Sequence, residues 1–218
     1  MLILGLDASL ARASTALLRD DRVLAERMAE GERGQAAALA PMVAEVLAEA
    51  GVGATDLDAL AVTVGPGSFT GIRAALALAH GIALATRRTL VGVTVAEALA
   101  EALPPGHRVV WCAIDSRRGR VFLDIGGVAR AVSLDALPPV SAPVVMTGDA
   151  AVAVAARLAA RGDDALPSDA RLPRAADVAR VGARRVAGML PPLAAQPLYV
   201  DPPEARLPAG GLRPPPAG

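Results

Sequence analysis

Two aspartates sit where a carboxylate most readily does chemistry in this chain. Asp7 ends the apolar run "LILGLD" (2–7), and Asp115 ends "VVWCAID" (109–115). Each is followed by a short polar turn and a returning apolar stretch, "TALLRD" in the first case and "VFLDIGG" (121–127) in the second. In a duplicated nucleotide-binding fold such carboxylates face a cleft between the halves and hold a metal–phosphate group through water, and Ser9 and Ser14 can add hydroxyl contacts. The alternative is local: each Asp accepts hydrogen bonds from the N–H groups of its own turn.

A second candidate is "GPGSFTGIR" (65–73), a glycine-rich turn between an apolar strand and a helical pattern. N–H groups exposed at such a helix start can bind an anion, with Gly67 and Ser68 best placed. The stretch is not a Walker loop: Arg73 is misplaced, and all 22 basic residues are arginine, so the required lysine does not exist. Nor is it G-x-G-x-x-G, because Gly65, Gly67 and Gly71 are spaced two and four apart. The residues favour a tight turn, with Ser68 or Thr70 capping the helix and the glycines permitting close packing. A third candidate, "DSRRGR" (115–120), gathers Arg117, Arg118 and Arg120 on one turn, either as a solvated loop or as a contact for phosphate or RNA.

The elements that position these residues follow from periodicity. Strands are expected at 2–7, in the stretch after the first turn, over "RVLAERMAE" (22–30), at 57–65, 89–94, 109–115, 121–127 and 143–148. Helices are expected at 35–50, 70–86, around 95–102, at 149–161 and at 175–190. In the first, Leu39, Met42, Val43, Val46 and Leu47 recur at i, i+3, i+4, i+7 and i+8, and Pro41 falls near its start, where proline is best tolerated. The break "LPPGH" (103–107) divides an N-terminal lobe, 1–104, from a smaller C-terminal lobe, 105–200. Residues 201–218, rich in proline and glycine, read as a weakly ordered tail.

Composition excludes several functions. The formal net charge is zero and aromatics are 2%, so neither a global field nor a stacking platform draws in nucleic acid. One cysteine and two histidines rule out a disulfide and leave a metal site without support. The N-terminus lacks the basic start of a signal peptide, and no apolar run of membrane-spanning length is expected, so the chain is expected in the cytoplasm without a membrane partner. No nucleophile–base arrangement stands out, and no catalytic residue is assigned.

Two helices carry the strongest signal. From Gly71 to Leu84 only Arg73 and His80 are strongly polar, and the 35–50 helix is largely alanine away from its leucine–valine stripe. A helix apolar all round is buried, either in its own core or against another protein. The expected partner interface comprises Pro41, Met42, Arg73, Ala75, Leu76, Ala79, His80 and Ala83.

The stretches "ILGLDAS", "LAPMVAEVLAEAG", "DLDALAVTVGPGSFTGIRAALALAHGIA", "LVGVTVAEALA", "AIDSRRGRVFLDI", "TGD" (147–149) and "QPLYV" follow one another in an order that resembles the TsaB (YeaZ) family. The resemblance runs to about Pro208. It implies an α/β, two-lobed fold of the actin, sugar-kinase and Hsp70 class (ASKHA), built from duplicated ribonuclease-H-like halves. It also implies a non-catalytic scaffold for N6-threonylcarbamoylation of the adenosine beside the tRNA anticodon. The chain would pair through N-lobe helices with the catalytic paralogue TsaD, be joined by the ATPase TsaE, self-associate when alone, and meet tRNA only through the complex. No cofactor is expected to bind tightly, with ATP or ADP and magnesium only in the assembled complex; Asp7, Ser9, Gly67, Ser68 and Asp115 are the vestigial nucleotide contacts. Two departures stand out: Gln35 replaces a histidine common in the family, and Asp201 replaces the arginine of a closing Tyr-Leu-Arg. The competing reading is a small ATP-dependent kinase or hydrolase of the same fold; a peptidase lacks the residues it needs.

Overall fold

The computed structural model describes residues 1–31 and 35–200. The 201–218 tail, with Asp201, and the side chain of Gln35 lie outside the described residues.

The chain forms two five-stranded mixed sheets of the same design. In the first, β1 (Leu2–Asp7), β2 (Arg12–Arg19), β3 (Arg22–Glu30), β4 (Ala59–Gly65) and β5 (Thr89–Thr94) lie in the order β3-β2-β1-β4-β5. In the second, β6 (Val109–Asp115), β7 (Val121–Ile125), β8 (Val128–Val132), β9 (Val144–Thr147) and β10 (Ala165–Pro167) lie in the order β10-β9-β6-β7-β8. Read from the other edge the two orders are identical, and the pairings match. An antiparallel three-strand meander is joined through its first strand to two parallel strands in both. The repeat of apolar strand, Asp, turn and returning strand is thus one corner of a complete duplication. The short strands β8 and β10 were not among those expected from the periodicity.

Helix α1 (Gln35–Glu49) and helix α2 (Phe69–Thr86) lie side by side on one face of the first sheet. The stripe Leu39, Met42, Val43 and Val46 is buried there, with Leu47 partly buried beside it, as its spacing predicts. Helix α3 (Val95–Glu101) starts in a reciprocal capping box between Thr94 and Glu97 and leads to the second lobe, where α4 (Ala151–Ala160) covers the second sheet.

Helix α5 (Ala175–Val186) corrects the expected domain boundary. It was expected within the C-terminal lobe, but it returns to the first sheet and packs on β1, β2, β4 and β5, on the face opposite α1 and α2. Small residues bring it flush: a Cβ on Gly5 would meet the Ala175 carbonyl, and one on Gly182 would meet the Ala61 Cβ. Residues 190–199 then strap across the same lobe. The Leu198 N–H donates to the Val64 carbonyl at 2.8 Å, the Gly92 N–H to the Leu193 carbonyl at 2.9 Å, and Ala195 is buried in the core beneath α2. The buried Arg185 fastens this strap through Nε to the Pro191 carbonyl (2.7 Å), Nη1 to the Gly92 carbonyl (2.7 Å) and Nη2 to Glu97 (2.5 Å).

The lobes share a core. Leu10, Val95 and Leu99 of the first cluster with Cys112 and Ile114 of the second, and Phe122 and Leu172 pack against them. The Cys112 thiol is pushed up to about 12, chiefly by burial, and is chemically inert at neutral pH.

Candidate functional site

Asp7 closes β1 inside the protein, not at a solvent-filled cleft. It is fully buried, and one oxygen, Oδ1, accepts from Ser9 N–H (3.1 Å), Ser9 Oγ (2.6 Å) and Thr63 Oγ1 (2.7 Å). Thr63 is the partner that sequence reasoning missed. The signal was present as the one polar residue inside the β4 run "ALAVTVG" (59–65).

The 65–73 stretch is the lid. Ser68 caps α2, its Oγ accepting from Gly71 N–H at 3.2 Å, as expected for a turn residue. Its own N–H donates to the Ser9 carbonyl at 2.7 Å. A Cβ built on Gly67 would lie 2.2 Å from the Ser9 carbonyl oxygen, and one on Gly71 would lie 1.9 Å from that of Ala8. Only residues without side chains let this loop lie directly on the turn after β1. Asp7, Ser9, Gly67 and Ser68 are therefore brought together, but they contact one another; the assignment of Asp7 and Ser9 as solvent-facing nucleotide contacts is corrected, because both are fully buried.

The second oxygen of Asp7, Oδ2, is buried without a partner. Desolvation raises the carboxyl above its usual range, against the lowering effect of the Ser9 and Thr63 hydrogen bonds and the Arg12 charge. A carboxyl whose folded-state pKa is raised favours folding below its unfolded value and loses that contribution as pH rises through the folded value. The ionised form is therefore a cost to the fold wherever it is populated. Asp7→Asn is accordingly expected to lose less stability than the parent as pH rises from about 4 to about 7.5, because it has no carboxylate to ionise in the buried site. Urea denaturation at both pH values checks it; a pH-independent difference would contradict the assignment.

Asp115 behaves differently. Its side chain is exposed, with Oδ1 accepting the Arg117 N–H at 2.8 Å, while its own N–H donates to Asp149 at 2.8 Å. This is the local use of an Asp in its own turn. The turn is tight: Ser116 Oγ donates to the Arg120 carbonyl at 2.7 Å, and Arg117, with φ +58°, presents its guanidinium outward. Arg118 and Arg120 lie on the same turn. Among the described residues, no group of three His, Cys, Asp or Glu side chains is arranged to hold a metal.

The expected partner interface is half corrected. Met42, Ala75, Leu76, Ala79 and Ala83 are all buried within the chain, on the faces that α1 and α2 turn to the first sheet. Their side chains leave little surface for a partner to touch. Pro41, Arg73 and His80 are exposed. The face that α2 leaves open runs through Arg73, Ala77, His80, Gly81 and Leu84, with Leu84 83% exposed; beside it α1 leaves open Ala40, Pro41, Ala44 and Ala48. Most of the α2 residues expected at the interface lie on its buried stripe, because alanine and leucine line both sides. By length and composition alone α2 also meets the requirement for crossing a membrane, contrary to expectation, although one face packs in the core.

The strap fixes the polar residues of this face. His80 Nε2 is 2.8 Å from the Ala195 carbonyl, and Arg73 lies 3.8 Å above the Phe69 ring while donating to Tyr199 Oη at 2.9 Å. The closing "QPLYV" thus has a structural role, seating the chain against α2.

Comparison with known proteins agrees with this geometry. The family model described as tRNA N6-adenosine threonylcarbamoyltransferase (TsaD) matches residues 24–136, more than half of the chain. The Escherichia coli protein named tRNA threonylcarbamoyladenosine biosynthesis protein TsaB is 36% identical over 125 residues, covering 56% of this chain and 53% of its own length. Its Haemophilus influenzae counterpart of the same name is 35% identical over 123 residues, covering 55% and 51%. The chain spans about half the length of the curated relatives it matches. The solved structure of YeaZ from Pseudomonas aeruginosa superposes with a TM-score of 0.73 at 27% identity, covering 91% of this chain and 99% of that one. Component A of Acidaminococcus fermentans (R)-2-hydroxyglutaryl-CoA dehydratase, at 14% identity and a TM-score of 0.53, shares the fold.

Proposed function

Because the chain belongs to the TsaB (YeaZ) family, within the wider tRNA N6-adenosine threonylcarbamoyltransferase family, we propose that it is a non-catalytic scaffold of tRNA threonylcarbamoyladenosine formation. It acts in the cytoplasm, pairs with a TsaD-type catalytic subunit, is joined by a TsaE-type ATPase, meets tRNA through the assembly, and self-associates when alone. The observation that carries the reading is the open face of α2 and α1. Ala77 and Gly81 on one helix and Ala40, Ala44 and Ala48 on the other allow close approach of a partner helix, and Leu84 projects from them almost fully exposed. An exposed apolar strip on a folded chain marks a contact surface. The sealing of Asp7 supports a subunit that leaves the chemistry to its partner, and no observation favours the kinase or hydrolase reading. Any ATP or ADP with magnesium belongs, in this proposal, to the assembled complex.

Leu84→Glu is expected to abolish co-purification with the TsaD partner while leaving the melting temperature of the isolated chain unchanged, since the side chain makes little contact at home. Val152→Glu, at a 46% exposed position on α4, serves as control and keeps the pairing. Full retention of the partner by Leu84→Glu would place the interface elsewhere.

A further inference from the structure

The open face of α2 and α1 carries a single full charge. Helix α2 contains no acidic residue, and its only basic residues are Arg73 and His80. The α1 residues left open beside it are Ala40, Pro41, Ala44 and Ala48. The acidic side chains of α1, Glu45 and Glu49, are both taken by Arg27 of β3, at the sheet edge away from α2. The strap 190–199 has no acidic residue either.

Arg73 is nonetheless held in place. Its guanidinium lies 3.8 Å from the centre of the Phe69 ring and donates to Tyr199 Oη at 2.9 Å, and among the described residues it meets no carboxylate. His80 is already engaged by the Ala195 carbonyl at 2.8 Å. Phe69 and Tyr199 are 61% and 56% exposed, whereas the chain's other aromatics, Trp111 and Phe122, are buried and partly buried. Exposed aromatic rings around an arginine have the composition of an interface anchor. A guanidinium already fixed in orientation also loses little freedom on meeting a carboxylate. Covering this face takes the Arg73 charge out of water, and a buried charge without a counter-ion weakens whichever complex holds it.

A second copy of the chain is a poor source of that counter-ion. Two copies meeting through the same face are related by a two-fold axis. An antiparallel pairing of α2 with itself sets Arg73 near the 84–88 end of the other copy, where the charges are Arg87 and Arg88. On the premise that this face is the docking surface, we propose that Arg73 is a specificity residue favouring the TsaD-type subunit over self-association. The TsaD-type subunit brings an Asp or Glu side chain to Arg73, and the matching face of a second copy brings none. Discrimination then comes from a charge that one complex satisfies and the other strands.

The test is sedimentation velocity of the full chain over a concentration series, alone and mixed with the TsaD-type subunit. Arg73→Gln is expected to weaken the mixed complex about tenfold and to tighten self-association about tenfold. Arg73→Lys, which keeps the charge, should stay nearer the parent in both. Opposite shifts cannot come from a folding defect, which would weaken both complexes. A mixed complex not weakened, or self-association not strengthened, by Arg73→Gln would overturn the proposal. Leu84→Glu tells its failure from that of the face itself. Loss of the mixed complex in Leu84→Glu with no change in Arg73→Gln removes the role of Arg73 alone, whereas a mixed complex that survives Leu84→Glu removes the docking face and this role with it.

Discussion

Gly71→Ala is expected to lower the stability of the chain by about 3 kcal/mol or more, although alanine is the better helix former. The added Cβ would lie 1.9 Å from the carbonyl oxygen of Ala8, and both are backbone-anchored, so no side-chain rotation relieves the overlap. Either α2 lifts from the sheet or the turn after β1 shifts, and both disturb the hydrogen bonds held by Asp7. Gly81→Ala, ten residues further along the same helix, is the matched comparison, because nothing lies within 4 Å of its added Cβ. That change is expected to leave stability equal or raise it by about 0.5–1 kcal/mol. Denaturant unfolding of both variants separates propensity from packing. Similar stabilities for the two would mean that the 65–73 loop does not lie on the Ala8–Ser9 backbone.

Arg185→Ala is the second change of large expected effect. The side chain is 4% exposed and fills three acceptors at once, two carbonyls and the Glu97 carboxylate. Removing it leaves the Gly92 and Pro191 carbonyls short of a donor and Glu97 short of a cation. Breaking a buried pair from one side costs about 3–5 kcal/mol, and the partial exposure of Glu97 places this case near the lower end. Arg185→Lys should recover only part, since one ammonium cannot span three divergent acceptors. Because the contacts join α5, β5 and the strap, residues 190–199 should become protease-sensitive before the rest of the lobe unfolds. Cleavage of Arg185→Ala at the parent's rate would show that the strap is held by its apolar contacts alone.

The strand and helix pattern was largely present in the sequence, since the five helices and most strands have enough residues to display their period. The duplication could be anticipated from its two Asp-ended strands, while β8 and β10 completed it only in the structure. What periodicity could not supply was direction. In α2 the buried and open stripes are both built of alanine and leucine, so composition does not tell Ala75 from Ala77 or Leu76 from Leu84. The glycines of 65–73 suggested either a phosphate or a close approach, and only the positions of the Ala8 and Ser9 carbonyls decide for the second. The return of α5 was equally hidden: its amphipathic pattern says that one face is covered, and nothing in it says by which sheet.

That return has a consequence for how the chain is made. The first sheet is complete in its strands once residue 94 has been synthesised, yet the face of β1 and β4 against which α5 packs stays bare until residue 186 follows. The intervening residues build the entire second sheet. On the ribosome the lobe made first is therefore finished last, and an apolar surface waits through the synthesis of the second lobe with no cover of its own. Closure depends on contacts far apart along the chain, which fold slowly and leave surface open to wrong partners in the meantime. The two lobes are separate as architecture and a single unit in the order of their folding.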